Sequence, residues 1–128
     1  MLVKKVKYTD YKGNQREEEL YFNLSKAEVA EMELSHQGGL SEKINRIVAT
    51  QDSKEIIELF KDLIVKSYGV VSDDGRRFIK NDQLREEFVQ TEAYSELFME
   101  LASDADEAAK FVNGIIPQVE NKKQVTTK

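Results

Sequence analysis

Three times along this chain a Ser or an Asp stands three residues ahead of a Glu at the head of an apolar run: Ser25 with Glu28, Asp52 with Glu55, and Asp104 with Glu107. That spacing fits a capping box, in which the first side chain accepts from an N–H of the opening turn and the glutamate reaches back to the cap's own N–H. Helix starts are therefore marked at three places. Leu24 is placed to staple onto Val29, and the helix they open runs through Met32 to about Ser35, with Gly38-Gly39 as its stop. Asp52 opens the longest apolar helix, where Ile56, Ile57, Leu59, Phe60, Leu63 and Ile64 make a stripe wide enough for burial on more than one side, and Gly69 suits its C-cap.

The remaining helices follow the same logic. Ser41 predicts a short helix with Ile44, Ile47 and Val48 on one side. Asn81 or Asp82 caps a helix carrying Leu84 and Phe88; Thr91 restarts the pattern, which Leu97, Phe98 and Leu101 continue. Asp104 opens the last helix, with Ala108, Phe111, Val112 and Ile115 on its apolar face, and Gly114 and Pro117 are read as its stop.

Ahead of the helices, Leu2 to Thr9 alternates, with Lys4, Val6 and Tyr8 on one face, and Glu18 to Leu24 alternates with Leu20, Phe22 and Leu24 in step. The Asp10–Asn14 segment between them holds turn residues, and Gly13 and Asn14 tolerate the positive φ of a hairpin connection. In that hairpin Lys5 and Lys7 face Glu17 and Glu19, each pair contributing roughly a few tenths of a kcal/mol. Two strands alone are marginal in water, so the apolar face of the hairpin needs helices or a partner against it. The Ser72–Gly75 turn predicts a further small hairpin within Val70–Ile79. The expected fold class is α+β: an N-terminal β-hairpin over residues 1–24, packed on a bundle of about five mostly short α-helices over 25–117. Residues 118–128, with few apolar side chains, are expected to form a flexible, disordered C-terminal tail outside the single globular domain.

Composition then narrows the chemistry. A net charge of -5, with bases interleaved among acids, argues against a nucleic-acid partner. The absence of cysteine removes disulfides, thiolate metal sites and cysteine nucleophiles. No apolar run approaches the roughly 18 residues that span a bilayer, and the N-terminus lacks an apolar leader segment, so a soluble cytosolic protein without membrane contact is expected. His36 is the only histidine and reads as a helix C-terminal residue favoured by the helix dipole. Ser72-Asp73-Asp74-Gly75 resembles a calcium loop only faintly, because position 81 is Asn where a bidentate glutamate is required. Glu31, Glu33, Glu86, Glu87, Glu96 and Glu100 fall on polar helix sides and read as a solvated surface. No catalytic residue, metal site or cofactor is expected. Tyr94, Phe98 and Phe111 sit at core spacing, while any of Tyr21, Tyr94, Phe98 and Met99 left exposed would make an apolar patch suited to protein contact.

Several segments taken together resemble a known family: the hairpin ending in LYFNLSKAEVAEME, the GGL turn, IIELFKDLIVKSYG, DGRRFIKND, and TEAYSELFMELASDADEAAKFVNGIIP. They are similar to small tail assembly chaperones of long-tailed bacteriophages and prophages of Gram-positive bacteria, a likeness that runs nearly to Pro117. The resemblance implies a non-enzymatic protein of the host bacterial cytoplasm. Such a protein binds the phage tape measure protein, keeps it soluble, helps recruit the major tail protein as tube subunits, and is absent from the mature virion. The family often yields a longer frameshifted product, and such an extension would begin after Pro117. On this reading the partner surface is the hairpin together with the last helix, including Phe111 and Ile115, and the candidate partner-binding residues are Tyr21, Tyr94, Phe111 and Ile115. Strand edges of the hairpin allow self-association. Two other roles fit the same features: a virion tail or connector subunit, and a small regulator that binds a host protein.

Overall fold

The computed structural model describes residues 1–35, 39–50 and 52–117. His36, Gly38 and residues 118–128 lie outside the described residues, as do the readings made for them. Ten elements follow in order: β1 (Leu2–Thr9), β2 (Gln15–Phe22), α1 (Lys26–Ser35), α2 (Gly39–Thr50), α3 (Ser53–Ser67), β3 (Tyr68–Val71), β4 (Phe78–Ile79), α4 (Asp82–Val89), α5 (Glu92–Ser103) and α6 (Ala105–Ile115). This is the expected α+β arrangement, with six helices among the described residues because the chain breaks between Val89 and Glu92, where the Thr91 hydroxyl donates to Phe88 O and accepts from Tyr94 N.

β1 and β2 pair antiparallel from Leu2↔Phe22 to Thr9↔Gln15, which sets Lys5 opposite Glu19 and Lys7 opposite Glu17. Gly13 turns the chain at φ 88°. The inward residues Val6, Leu20 and Phe22 are buried, while Lys5 and Lys7 face solvent. The two hairpins are not separate. Tyr21↔Gly69 and Phe22↔Tyr68 join them into one antiparallel sheet in the order β1-β2-β3-β4.

Two glycines act differently from their sequence reading. Gly69 is not the C-cap of α3; Tyr68 ends that helix in an extended conformation and leads straight into β3. A Cβ on Gly69 would meet Phe78 Cε2 at 2.7 Å and the Ile79 carbonyl oxygen at 2.9 Å, so the residue is small because β4 crosses it closely. Gly114 does not stop α6, which continues to Ile115; a Cβ there would lie 2.9 Å from Leu2 Cδ1, and its absence lets β1 settle on the helix. Helix α2 likewise begins at Gly39, two positions before Ser41.

The capping residues behave as side-chain chemistry demands. Ser25 N–H donates to Glu28 Oε1 at 2.8 Å and Glu28 N–H donates to Ser25 Oγ at 3.1 Å, a complete reciprocal box. Asp52 accepts from Lys54 and Glu55 N–H, but its own N–H donates to Thr50 Oγ1 rather than to Glu55. Asp104 accepts from Asp106 and Glu107 N–H, and Asn81 from Leu84 N–H.

Phe22 is the hub of the core. Its ring lies 5.2 Å from Phe111, 5.8 Å from Tyr68 and 6.0 Å from Phe88, and Tyr68 stacks on Phe88 at 4.0 Å. One sheet residue thus binds three elements, β3, α4 and α6, at about 2–3 kcal/mol for its burial and about 1 kcal/mol for each well-oriented ring pair. The segment following it is held by helix ends: Asn23 N–H donates to Ser67 O and Leu24 N–H to Ile115 O, each at 2.8 Å, satisfying carbonyls that α3 and α6 leave open.

Candidate docking groove

The sequence places four alanines around the α5–α6 corner: Ala102, Ala105, Ala108 and Ala109. Asp104 ends α5 and caps α6, so the two helices follow each other with no loop between them, and all four alanines line the cavity beside this corner. Opposite stand Ile44 of α2 and Ile56 and Phe60 of α3, and Leu101 and Val112 complete the walls. Small residues on one side and larger ones held at a distance on the other leave an open cavity of about 530 Å³. Among the described residues, polar side chains enter its lining as Ser103 and Asn113. The Ser103 hydroxyl is already committed to Met99 O at 2.7 Å.

The two helices that form the corner are acidic in sequence. The stretch from α5 to α6 carries Glu92, Glu96, Glu100, Asp104, Asp106 and Glu107 against a single base, Lys110. Part of that charge is engaged structurally. Lys4 of β1 lies 3.1 Å from Glu100 and 3.5 Å from Glu107, so Glu100 is a tie to the sheet rather than plain solvated surface. Glu92 accepts from the Tyr11 hydroxyl at 2.8 Å. Asp106 and Glu96 are exposed.

The four residues expected to meet a partner are not brought together. Phe111 and Ile115 are 1% and 0% exposed and belong to the core. Tyr94 is half-buried, edge-on to Phe88 at 5.4 Å, and burial pushes its phenol up. Tyr21 points away from the helices on the outer face of the sheet, paired with Val3 and Gly69. Met99 is 58% exposed on α5, and the Phe98 ring is tied to Tyr94 at 6.1 Å. Tyr94, Phe98 and Phe111 thus join Phe22, Tyr68 and Phe88 in one ring cluster. Alanine spacing in LASDADEAAKFV is the signal that marks the groove, and an apolar-face reading overlooks it because alanine is counted as helix former rather than as missing volume.

A second concavity, of about 460 Å³, lies between α1, α3 and α4 and mixes Glu28, Glu31 and Asp62 with Lys66 and Arg85. Its opposed charges leave no net field for one ligand sign. In the Ser72–Gly75 turn, Asp74 accepts from Arg76 N–H and from the Ser72 hydroxyl, which hold its carboxyl below the usual range. Among the described residues no group of three or more His, Cys, Asp or Glu side chains is placed to hold a metal ion, and no helix is long and apolar enough to cross a membrane.

A family model described as phage tail assembly chaperone matches residues 1–127. No curated protein and no solved structure matches the chain.

Proposed function

The chain belongs to the phage tail assembly chaperone family, and from that premise we propose that it binds the tape measure protein, keeps it soluble and helps gather major tail protein subunits around it. It does so in the host cytoplasm and leaves before the particle is finished. The observation that carries this reading is the open apolar groove at the α5–α6 corner, set in a polar chain of net charge -5. A chaperone of this kind needs a place where exposed apolar helix faces exchange water for protein, and a surface that keeps the complex dispersed.

The test is co-expression with the tape measure protein of the same phage or prophage. The expected result is transfer of that protein from the insoluble to the soluble fraction, with co-elution of the two. If it stays insoluble and unbound while this chain is folded, the reading fails. Mass spectrometry of purified particles is the second arm: absence of the chain agrees with a departing chaperone, and stoichiometric presence overturns it in favour of a tail or connector subunit.

A further inference from the structure

We propose that the outer edge of β1 takes up an extended segment of a partner protein by strand addition, and that this segment carries carboxylates on the face it shares with Lys5 and Lys7 and a base on the face it turns toward Glu96. The inference goes beyond the reading above, which rests on the helical corner and gives the sheet no role. Ladder parity sets the first condition. β1 and β2 run in unbroken register from Leu2↔Phe22 to Thr9↔Gln15. Asp10 N–H donates to Asn14 O at 2.9 Å at the turn, and Asn23 N–H donates to Ser67 O on the β3 side. Antiparallel bonds alternate, so Leu2, Lys4, Val6 and Tyr8 bond to β2, whereas Val3, Lys5, Lys7 and Thr9 turn their backbone groups outward. β1 opens the sheet order and has no neighbour on that side among the described residues. The outward N–H and C=O groups form a row that another strand can pair.

Charge says which strand, and its sign differs above and below the edge. On the outer face Lys5 and Lys7 are exposed, and neither makes an ion pair among the described residues, although Glu19 and Glu17 are their partners in register. On the inner face α5 packs against β1, with Glu92 accepting from the Tyr11 hydroxyl and Glu100 lying 3.1 Å from Lys4. Glu96 falls between them, one helical turn from each, exposed and with no ion pair among the described residues. The bases nearby are already engaged, Lys4 by Glu100 and Glu107, and Lys110 by Glu107. A strand beside β1 sends alternate side chains to opposite faces, so acids on one face and a base on the other meet attraction on both.

A second copy of this chain fits poorly. Two β1 edges paired along their length set lysine against lysine. The half of β2 that β3 leaves open, Gln15 to Glu19, brings Glu18 to the face of Glu96, and the pairing of Tyr21 with Gly69 closes it beyond.

The test uses the full chain, isotope-labelled for NMR, and synthetic peptides of about ten residues, the length of a long strand. One alternates glutamate and lysine. A second holds the same residues in two blocks, and a third alternates but is N-methylated at its glutamate amides, which removes the donors that face β1. The alternating peptide is expected to shift the amides of Val3, Lys5, Lys7 and Thr9 and to slow their hydrogen exchange. The block and N-methylated peptides are expected to bind at least about tenfold more weakly. Lys5→Glu with Lys7→Glu lowers affinity for the alternating peptide by about tenfold or more; Glu96→Lys repeats the test from the helix should the strand changes disturb the hairpin.

No binding by the alternating peptide, equal binding of the three, shifts centred away from β1, or indifference to both sets of substitutions overturns the proposal. So does protection of the Lys5 and Lys7 amides that grows with protein concentration in the absence of peptide, which assigns the edge to a second copy.

Discussion

Lys80 Nζ lies 2.8 Å from Glu28 Oε2 and 2.7 Å from the Asn23 carbonyl oxygen, so one ammonium at the end of β4 pins the start of α1 to the end of β2. The lysine side chain is only 10% exposed, and its charge also sits 5.7 Å from the Phe78 ring. Glu28 serves two masters here, because the carboxylate that Lys80 grips is the one that accepts from Ser25 N–H in the capping box.

Lys80→Met is expected to destabilise the fold by about 1–3 kcal/mol, since it strands a partly buried carboxylate and an acceptor carbonyl. Glu28→Gln keeps a capping-box residue and is expected to cost less than Lys80→Met. Urea denaturation of the variants measures both, and equal midpoints for Lys80→Met and the unaltered chain would show that the contact is not stabilising.

The same pair sets an acid limit. Burial raises the Glu28 carboxyl, but donation from Lys80 and from Ser25 N–H outweighs it and holds the group below its ordinary value. A depressed carboxyl contributes stability that is present above its unfolded value and is lost as pH falls through the folded one. Stability measured across the acid range is therefore expected to decline less steeply in Glu28→Gln than in the unaltered chain.

Asp10 makes a sharper local prediction. Donation from Arg16 Nε at 2.6 Å, then from Asn14 and Lys12 N–H, lowers its carboxyl to about 2 from the ordinary 3.8. Carboxyl NMR titration is expected to find Asp10 still ionised near pH 3, and Arg16→Gln to move its midpoint upward. A midpoint at the ordinary value in the unaltered chain would mean the turn contacts do not persist in solution.

The glycines separate steric from conformational cost. Gly69→Ala is expected to lose about 1–3 kcal/mol through overpacking against Phe78 and the backbone of β4. Gly13→Ala meets nothing within 4 Å and costs about 1 kcal/mol through its positive φ alone. Thermal denaturation of the two variants ranks them, and the reverse order would refute the close crossing at Gly69.

Phe22→Ala is expected to be the most damaging of the substitutions named here, at about 3–5 kcal/mol. It removes three ring contacts and opens a void shared by β3, α4 and α6. Calorimetry checks the loss.

Local signals carried the helix starts and the first hairpin, because Ser25, Asp52, Thr91 and Asp104 act within one turn of themselves and Lys5 and Lys7 choose partners through strand alternation. Gly69 and Gly114 mislead for the opposite reason. A glycine near a helix end reads as a cap, yet these two are small because Phe78 and Leu2 approach from elsewhere in the chain, a fact that exists only in the assembled fold. The joining of the two hairpins through Tyr21↔Gly69 and Phe22↔Tyr68 is likewise a long-range fact with no local signal. At the candidate site, Phe111 and Ile115 look alike from sequence whether they face a partner or Phe22, and the alanine corner gains meaning only when Ile56 and Phe60 stand across from it.

Asn23 and Leu24 give their amide protons to the last carbonyls of α3 and α6, and Lys4 and Leu2 likewise wait for Glu107 and Gly114. The hairpin's tertiary anchors thus all lie later in the sequence than the hairpin itself, so a chain cut anywhere before Ile115 keeps the β1–β2 pairing but loses the carbonyl that receives Leu24.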